Sequence, residues 1–206
     1  MRRLFVAHVS AIILRGDVEV ENPLELVLGF LAAYSGHEAY DSSGHASFDE
    51  SDLRLANRGG ARISATEIAA VLERRRKIER ALRKVHPDAS LADTTSAIPW
   101  IPLTRLFDTF GDIHGIGFSK MTKTLHRKRP ALIPILDSVV QAYLTKDEPR
   151  LDSTETFAER ATALVRSYKR DLDRNRAVLQ EIQRELASRD CRLTEVRILD
   201  LLIWSA

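Results

Sequence analysis

Two glycines in the middle of the chain, Gly115 and Gly117, are separated by one aliphatic residue and lie between two apolar, helix-like segments. Glycine adopts positive φ angles and lets another backbone approach closely, so this spacing predicts a tight turn. The next helix is expected to begin near Phe118. Its first N–H groups would be free, and together with the helix dipole they could hold a phosphate. Basic side chains follow closely: Lys120, Lys123, Arg127, Lys128 and Arg129.

A carboxylate stands further along the chain, in the run Ile135-Leu136-Asp137-Ser138-Val139-Val140. An aspartate in front of an apolar helical segment is an ordinary N-cap. A carboxylate in a binding site can also stabilise a developing positive charge or activate a water molecule. The residues alone leave both roles of Asp137 open.

The stretch IHGIGFSKM at 113–121 resembles the helix-hairpin-helix motif of the endonuclease III-like DNA glycosylase superfamily (HhH-GPD). In that family a Gly-aliphatic-Gly turn and the helix after it grip one DNA strand by its backbone. The catalytic aspartate starts a later helix, and Asp137, 20 positions after Gly117, falls in that place. The resemblance implies a double-stranded DNA partner, hairpin 113–129 as the contact and Asp137 as the catalytic group. The DNA-binding residues that it implies are Gly115, Gly117, Ser119, Lys120, Lys123, Arg127 and Lys128.

Departures from the family pattern narrow the implied activity. Bifunctional members carry a lysine two positions after the second glycine, where this chain has Ser119, with Lys120 one step beyond. Met121 replaces a small residue, and Cys191 is the only cysteine, so the C-terminal cysteine cluster is missing. The resemblance therefore implies a monofunctional glycosylase without lyase activity. The stretch RKRPALIPILDS at 127–138 also resembles an uncharacterised bacterial family.

The implied reaction is hydrolysis of the N-glycosidic bond of a modified or damaged base, which must first be flipped out of the duplex. Asp137 would stabilise the oxocarbenium character of the sugar as the base leaves. Trp100 and Tyr143 are candidates for stacking the base. Two alternatives stay open: a non-catalytic DNA-binding hairpin in which Asp137 only caps a helix, and a helical protein-interaction domain that does not meet DNA.

The composition is that of an ordinary globular protein, with 206 residues of which 44% are hydrophobic and 29% charged. The net charge of +2 argues against a highly basic scaffold but leaves room for a local nucleic-acid patch. One cysteine cannot form an internal disulfide or an iron–sulfur cluster and fits a reducing compartment. We therefore expect a cytoplasmic protein without cofactor or metal. No membrane span is expected, since no run of 18 apolar residues exists.

Helical periodicity dominates the sequence and predicts one all-α domain over 1–206, with a small β element at 18–22. Ser64 and Glu67 form a capping box that predicts one long helix to about Val85. Thr156 and Glu159 predict another helix start in the same way.

Several other segments are assigned structural roles. Residues 4–14 are interpreted as the first core element, and Trp204, on an apolar terminal helix, is expected in the core. The loop 35–47 contains His37, Asp41 and His45, but no His-x-x-x-His pair or cysteine supports a metal site there. The run 127–129 has a second interpretation as a solvated helix end, where basic side chains favour the C-terminal dipole.

Overall fold

The computed structural model describes residues 11–33, 44–146 and 154–206. Over these residues the chain forms ten α-helices and a two-stranded sheet, which confirms the predicted all-α class with a small N-terminal β element. The strands are β1 (Ile12–Ile13) and β2 (Glu19–Val20). The first five helices are α1 (Pro23–Ala33), α2 (Glu50–Arg58), α3 (Ala65–Glu73), α4 (Arg75–Leu82) and α5 (Trp100–Asp108). The other five are α6 (Phe118–His126), α7 (Ser138–Leu144), α8 (Phe157–Arg174), α9 (Arg176–Ala187) and α10 (Glu195–Ser205).

The side chain of Asn175 ties the small sheet to the helical body by hydrogen bonds. β1 and β2 pair antiparallel, with Ile12 opposite Val20. Asn175, between α8 and α9, accepts a hydrogen bond from the Ile13 N–H and donates one to the Ile13 carbonyl, both at 2.9 Å. The amide of Asn175 thus satisfies backbone groups that a two-stranded sheet leaves open at its edge.

Some predicted features lie outside the described residues. Of the predicted core segment 4–14, only residues 11–14 are described, and Ile12 and Leu14 are buried there. The loop 35–47 is described only from Gly44 onward, so His37 and Asp41 also lie outside the described residues.

Capping boxes start helices where the sequence predicts them. The Ser64 hydroxyl accepts from the Glu67 N–H at 3.3 Å, and the Glu67 carboxylate accepts from the Ser64 N–H at 2.8 Å. Thr156 and Glu159 make the same reciprocal pair at the start of α8. Both predicted boxes are confirmed, because a capping box depends on residues three positions apart and needs no distant partner.

The prediction of one long helix from Ser64 to Val85 is wrong, because the helix is interrupted at Arg74. Arg74 has φ −93° and ψ 4°, so α3 ends and α4 begins at this residue. α3 packs against α2, whereas α4 packs against α5. The change of direction at Arg74 lets each half bury its own apolar stripe against a different helix.

The buried apolar side chains of the described residues form one continuous cluster. α5 packs along α8, and α10 lies against α1, α7, α8 and α9. α6, which follows the glycine turn, rests on α2. Within the described part of the chain, no helix is both long and apolar enough to cross a membrane. The helix that follows the glycine turn is thus held by α2, and the helix that begins after Asp137 is held by α8 and α10.

Candidate nucleic-acid interface

The glycine turn is exposed and anchored from below by apolar side chains. α5 ends at Asp108, and consecutive tight turns lead to Ile113 and Ile116, which are both buried. Gly115 has φ +81°, the left-handed conformation that the glycine spacing predicts. The connection between α5 and α6 spans residues 109–117, so it is longer than the tight turn that the glycine spacing predicts. The consecutive turns after Asp108 account for the additional length.

Gly117 is the N-cap of α6, and no side chain caps this helix. Its backbone is extended (φ −92°, ψ −177°), the Met121 N–H donates to its carbonyl at 3.1 Å, and a Cβ added here would meet nothing within 4 Å. The first N–H groups of α6 therefore have no side-chain cap and follow an exposed glycine, and the helix begins at Phe118 as predicted. This arrangement suits an anion held by backbone groups and the helix dipole.

Glu67 lies directly against the other glycine of the turn. A Cβ built on Gly115 would stand 2.1 Å from the Glu67 Oε1. The ammonium of Lys120, on the first turn of α6, donates to both carboxylate oxygens of Glu67, at 2.6 and 2.8 Å. This hydrogen bond lowers the pKa of Glu67, so the carboxyl is ionised at neutral pH. The charge of Lys120 is consequently compensated by Glu67 within the protein.

Lys123 lies one turn further along α6, in a group of cations that we call the basic cluster: Arg62, Lys123 and Arg197. The half-buried Lys123 ammonium donates to the Gly60 carbonyl at 3.3 Å. Burial lowers the pKa of Lys123; the charge of Asp137 opposes this shift, while Arg197 and Arg62 add to it. Arg62 is exposed and has φ +57°, which is uncommon for a residue with a side chain. The sequence-based prediction missed Arg62 and Arg197.

Asp137 caps α7, as predicted. Its Oδ1 accepts hydrogen bonds from the Val139 and Val140 N–H groups, both at 3.1 Å. Its Oδ2 accepts from the Trp204 indole N–H at 2.8 Å. Asp137 is only 6% exposed, so its carboxylate lies just below the surface, with both oxygens hydrogen bonded.

The expectation that Trp204 lies in the core is wrong, because 56% of it is exposed. Trp204 is in the last turn of α10, beyond the buried run that ends at Ile203. The indole N–H donates a hydrogen bond to the buried Asp137, while much of the ring faces solvent. This arrangement suits an amphipathic side chain. No local sequence signal pairs these residues, since they come from different helices.

Asp200, one turn before Trp204 on α10, holds the backbone that leads into Asp137. Its Oδ2 accepts from the Ile135 N–H at 3.2 Å. Burial raises the pKa of Asp200 to about 7, Arg197 opposes the shift, and Asp137 adds to it. Together, Asp200 and Trp204 clamp residues 135–137 onto α10.

The basic run after α6 does not form a solvated helix end. Lys128 is 0% exposed and pairs with the 1% exposed Asp52 at 2.7 Å. The buried Arg129 donates to the Leu82 and Val85 carbonyls at 2.6–2.9 Å, which satisfies the C-terminal end of α4. The interpretation as a solvated end is wrong for both residues, because burial and distant partners override the local pattern. The structure also keeps Lys128, a predicted DNA contact, away from the surface.

The other predicted site residues are distributed over separate places. Ser119 and Arg127 are half-buried on α6 and just after it. Trp100 begins α5, and the Arg166 guanidinium stacks on its ring at 4.1 Å. Tyr143, on α7, is buried; its hydroxyl oxygen accepts from the Arg15 N–H at 3.1 Å.

Tyr143 lines a cavity of about 230 Å³ together with Val139, Ala142 and Ile203. Neither Asp137 nor Trp100 lines this cavity. The two predicted stacking residues therefore do not meet around Asp137, and Trp204 is the aromatic side chain in contact with its carboxylate. Among the described residues, no three histidine, cysteine, aspartate or glutamate side chains are grouped so that they could hold a metal ion.

The fold and the site define a mostly helical protein with an exposed glycine turn, a basic cluster and a buried aspartate that caps a helix. The chain belongs to the family DUF6308, described as a family of unknown function, whose model matches residues 30–206. No curated protein matches the chain. No solved structure matches it either.

Proposed function

We propose that this protein binds DNA through the sugar-phosphate backbone, with a phosphate at the N-terminus of α6. The observation that carries the proposal is the exposed N-cap Gly117, which leaves the first N–H groups of α6 without a side-chain cap. Lys123, also on α6, and Arg62, which is close enough to affect the pKa of Lys123, add positive charge. Helix N-termini and basic side chains together are common phosphate contacts.

The proposed contact is local and does not depend on the net charge of +2. Because phosphate contacts carry no base information, binding is expected to be largely independent of sequence. Affinity would then fall steeply with salt, since neutralised phosphates release their counterions. The resemblance of IHGIGFSKM to the helix-hairpin-helix motif supports the same geometry.

Fluorescence anisotropy with a short labelled duplex over a series of salt concentrations tests the proposal. We expect the slope of log K against log salt to become shallower by about 0.9 for each lost phosphate contact in Lys123→Gln and Arg62→Gln. Arg83→Gln, an exposed change just after α4, is the matched control. Absence of binding, or equal losses in the control and the two test variants, would contradict the proposal.

A second candidate function, base excision, is favoured by the contact between Asp137 and the exposed Trp204. An extruded base could stack on the free face of the indole ring, and the carboxylate would lie next to the sugar. In this reaction the N-glycosidic bond breaks, water adds to the sugar and the base leaves with a proton. Asp137 would stabilise the positive charge on the sugar.

Strand breakage after alkali treatment, on a panel of duplexes with modified bases, tests base excision. Asp137→Asn keeps a capping oxygen but removes the charge, so nicking should fall by about 10²–10³-fold. Trp204→Phe, which keeps the carboxylate and loses the indole N–H, should retain more activity than Asp137→Asn. DNA binding without nicking of any substrate would contradict base excision and would leave backbone binding as the only proposed function.

A further inference from the structure

Glu67 has a second contact that its capping role does not require. A capping box needs an acceptor at the third helical position, and glutamine serves there as well as glutamate. Glu67 caps α3 with its Oε2 and also places its Oε1 against Gly115, while both oxygens accept from Lys120. The negative charge therefore lies at the glycine turn, beside the proposed phosphate site.

Glu159 provides the internal comparison. It forms the same capping box with Thr156 at the start of α8, and the contacts that lower its pKa come from Thr156. For Glu67, by contrast, the largest cause of the lowered pKa is the hydrogen bond from Lys120. The two glutamates share one local motif, and the contact with the turn and with Lys120 distinguishes Glu67.

We propose that Glu67 is an internal competitor for DNA phosphate: its carboxylate occupies the Gly115 side of the turn and holds the charge of Lys120. Carboxylate and phosphate are both anionic acceptors, and Lys120 cannot fully neutralise both at once. Tight DNA binding then requires the Glu67 carboxylate to move away from Lys120, so that the Lys120 ammonium can pair with a phosphate. This inference rests on the proposed backbone-binding function and adds a residue that limits its affinity.

The test compares wild type with Glu67→Gln, Glu159→Gln, Lys120→Gln and the double variant Glu67→Gln/Lys120→Gln, using the same labelled duplex and salt series. Glu67→Gln keeps the cap and releases Lys120, so we expect about fivefold tighter binding. The salt slope should steepen by about 0.9, the value for one additional phosphate contact. Lys120→Gln in the wild-type background leaves the Glu67 charge uncompensated and should weaken binding, and in the Glu67→Gln background it should abolish the gain. Glu159→Gln, which removes the same charge from the same motif, should have a smaller effect.

The outcomes separate the two proposals. If wild type binds DNA and Glu67→Gln binds with the same affinity and slope, the competitor role is overturned and backbone binding stands. Equal gains in Glu67→Gln and Glu159→Gln would indicate a general charge effect and would also overturn it. If neither wild type nor Glu67→Gln binds the duplex, both proposals fail. Thermal unfolding of each variant verifies that the capping boxes, and hence the fold, are intact.

Discussion

Lys128 and Asp52 form an ion pair in the interior, at 2.7 Å and with almost no exposure of either side chain. Burial of two charges carries a large desolvation cost, which a close pair only partly offsets. The pair nevertheless fixes the end of α6 to α2, because each charge left alone would be far more unfavourable. The contribution of Lys128 is therefore to structure, and its loss should be felt in stability.

Lys128→Met is expected to lower the free energy of unfolding by about 3–5 kcal/mol, because it removes the ammonium that compensates the buried Asp52 carboxylate. Lys84→Met, at an exposed position after α4, is the control and should change stability by less than about 0.5 kcal/mol. Urea unfolding measures both variants. A Lys128→Met protein as stable as the control would show that Asp52 needs no charged partner.

Asp200 makes the stability of the protein depend on pH. Burial raises its pKa from 3.8 to about 7, so the folded state keeps a proton that the unfolded chain releases. Stability should consequently fall as pH rises from about 4 to about 7, by an amount on the order of 4 kcal/mol, and then level off. Asp200→Asn should remove this fall, because its amide does not titrate.

Urea unfolding of wild type and Asp200→Asn across this pH range measures the effect. The exposed Asp190→Asn is the control and should follow the wild-type pH dependence. Parallel curves for wild type and Asp200→Asn would mean that Asp200 does not carry the dependence. Since Asp200 clamps Ile135 through a hydrogen bond that asparagine can also accept, the substituted protein should keep its fold.

For single residues, the sequence predicted roles that depend on near neighbours and missed those that depend on distant ones. Asp137 is the N-cap of α7 because the N–H groups that it accepts from are two and three positions away. The Trp204 partner of the same carboxylate comes from another helix, so no local pattern reveals it. The prediction for Lys128 failed for the same reason. A basic run is typical of a solvated surface, and the sequence does not show that Lys128 pairs with the buried Asp52.

At the scale of elements, helix starts were more predictable than helix continuity. The boxes at Ser64 and Thr156 are complete within four residues. The interruption at Arg74 follows from packing of α3 and α4 on different helices, which the apolar periodicity does not encode. The glycine turn was predictable because Gly115 needs a positive φ, whereas its cover by Glu67 was not.

The start of α6 should show a conflict between stability and binding. Gly117→Ser places a hydroxyl at an N-cap whose extended backbone and open surroundings suit serine. The hydroxyl would accept from the N–H groups that we assign to the phosphate. We expect a small rise in melting temperature together with weaker duplex binding, measured by calorimetry and anisotropy. Tighter binding with the cap in place would argue against a phosphate at α6.

Gly115→Ala is the contrasting change in the same turn. Its φ of +81° is strained for any residue with a side chain, and a methyl group would also force the Glu67 carboxylate to move. Stability should fall by roughly 1–3 kcal/mol, the usual cost of a left-handed residue with a side chain. A neutral effect on stability would show that the turn relaxes at this position. The stability of Gly115→Ala therefore tests the backbone requirement of the turn, whereas duplex binding by Gly117→Ser tests the proposed phosphate contact.

For the molecule as a whole, the small net charge does not show that some charged side chains are paired in the interior while others lie near the surface. Asp52 and Lys128 neutralise each other inside, as do Asp171 and the buried Arg15 at 2.7 Å. The charges that can act on a partner are those left near the surface, and Arg62 of the basic cluster is among them. Composition alone therefore could not locate the basic cluster, because it does not show which charges are paired in the interior.

The continuous apolar core predicts that the described helices unfold together. The two tryptophans report on different parts: Trp100 on the α5–α8 contact and Trp204 on the end of α10. In Trp100→Phe and Trp204→Phe, the remaining tryptophan should lose its native fluorescence at the same denaturant concentration as the helical circular dichroism, as two-state unfolding requires. A fluorescence midpoint for Trp204 well below that of the circular dichroism would instead mean that α10 and the Asp137 segment open before the rest. In that case the candidate base-excision site would be the least stable part of the described molecule, and a DNA that stacks a base on Trp204 should raise the lower midpoint selectively.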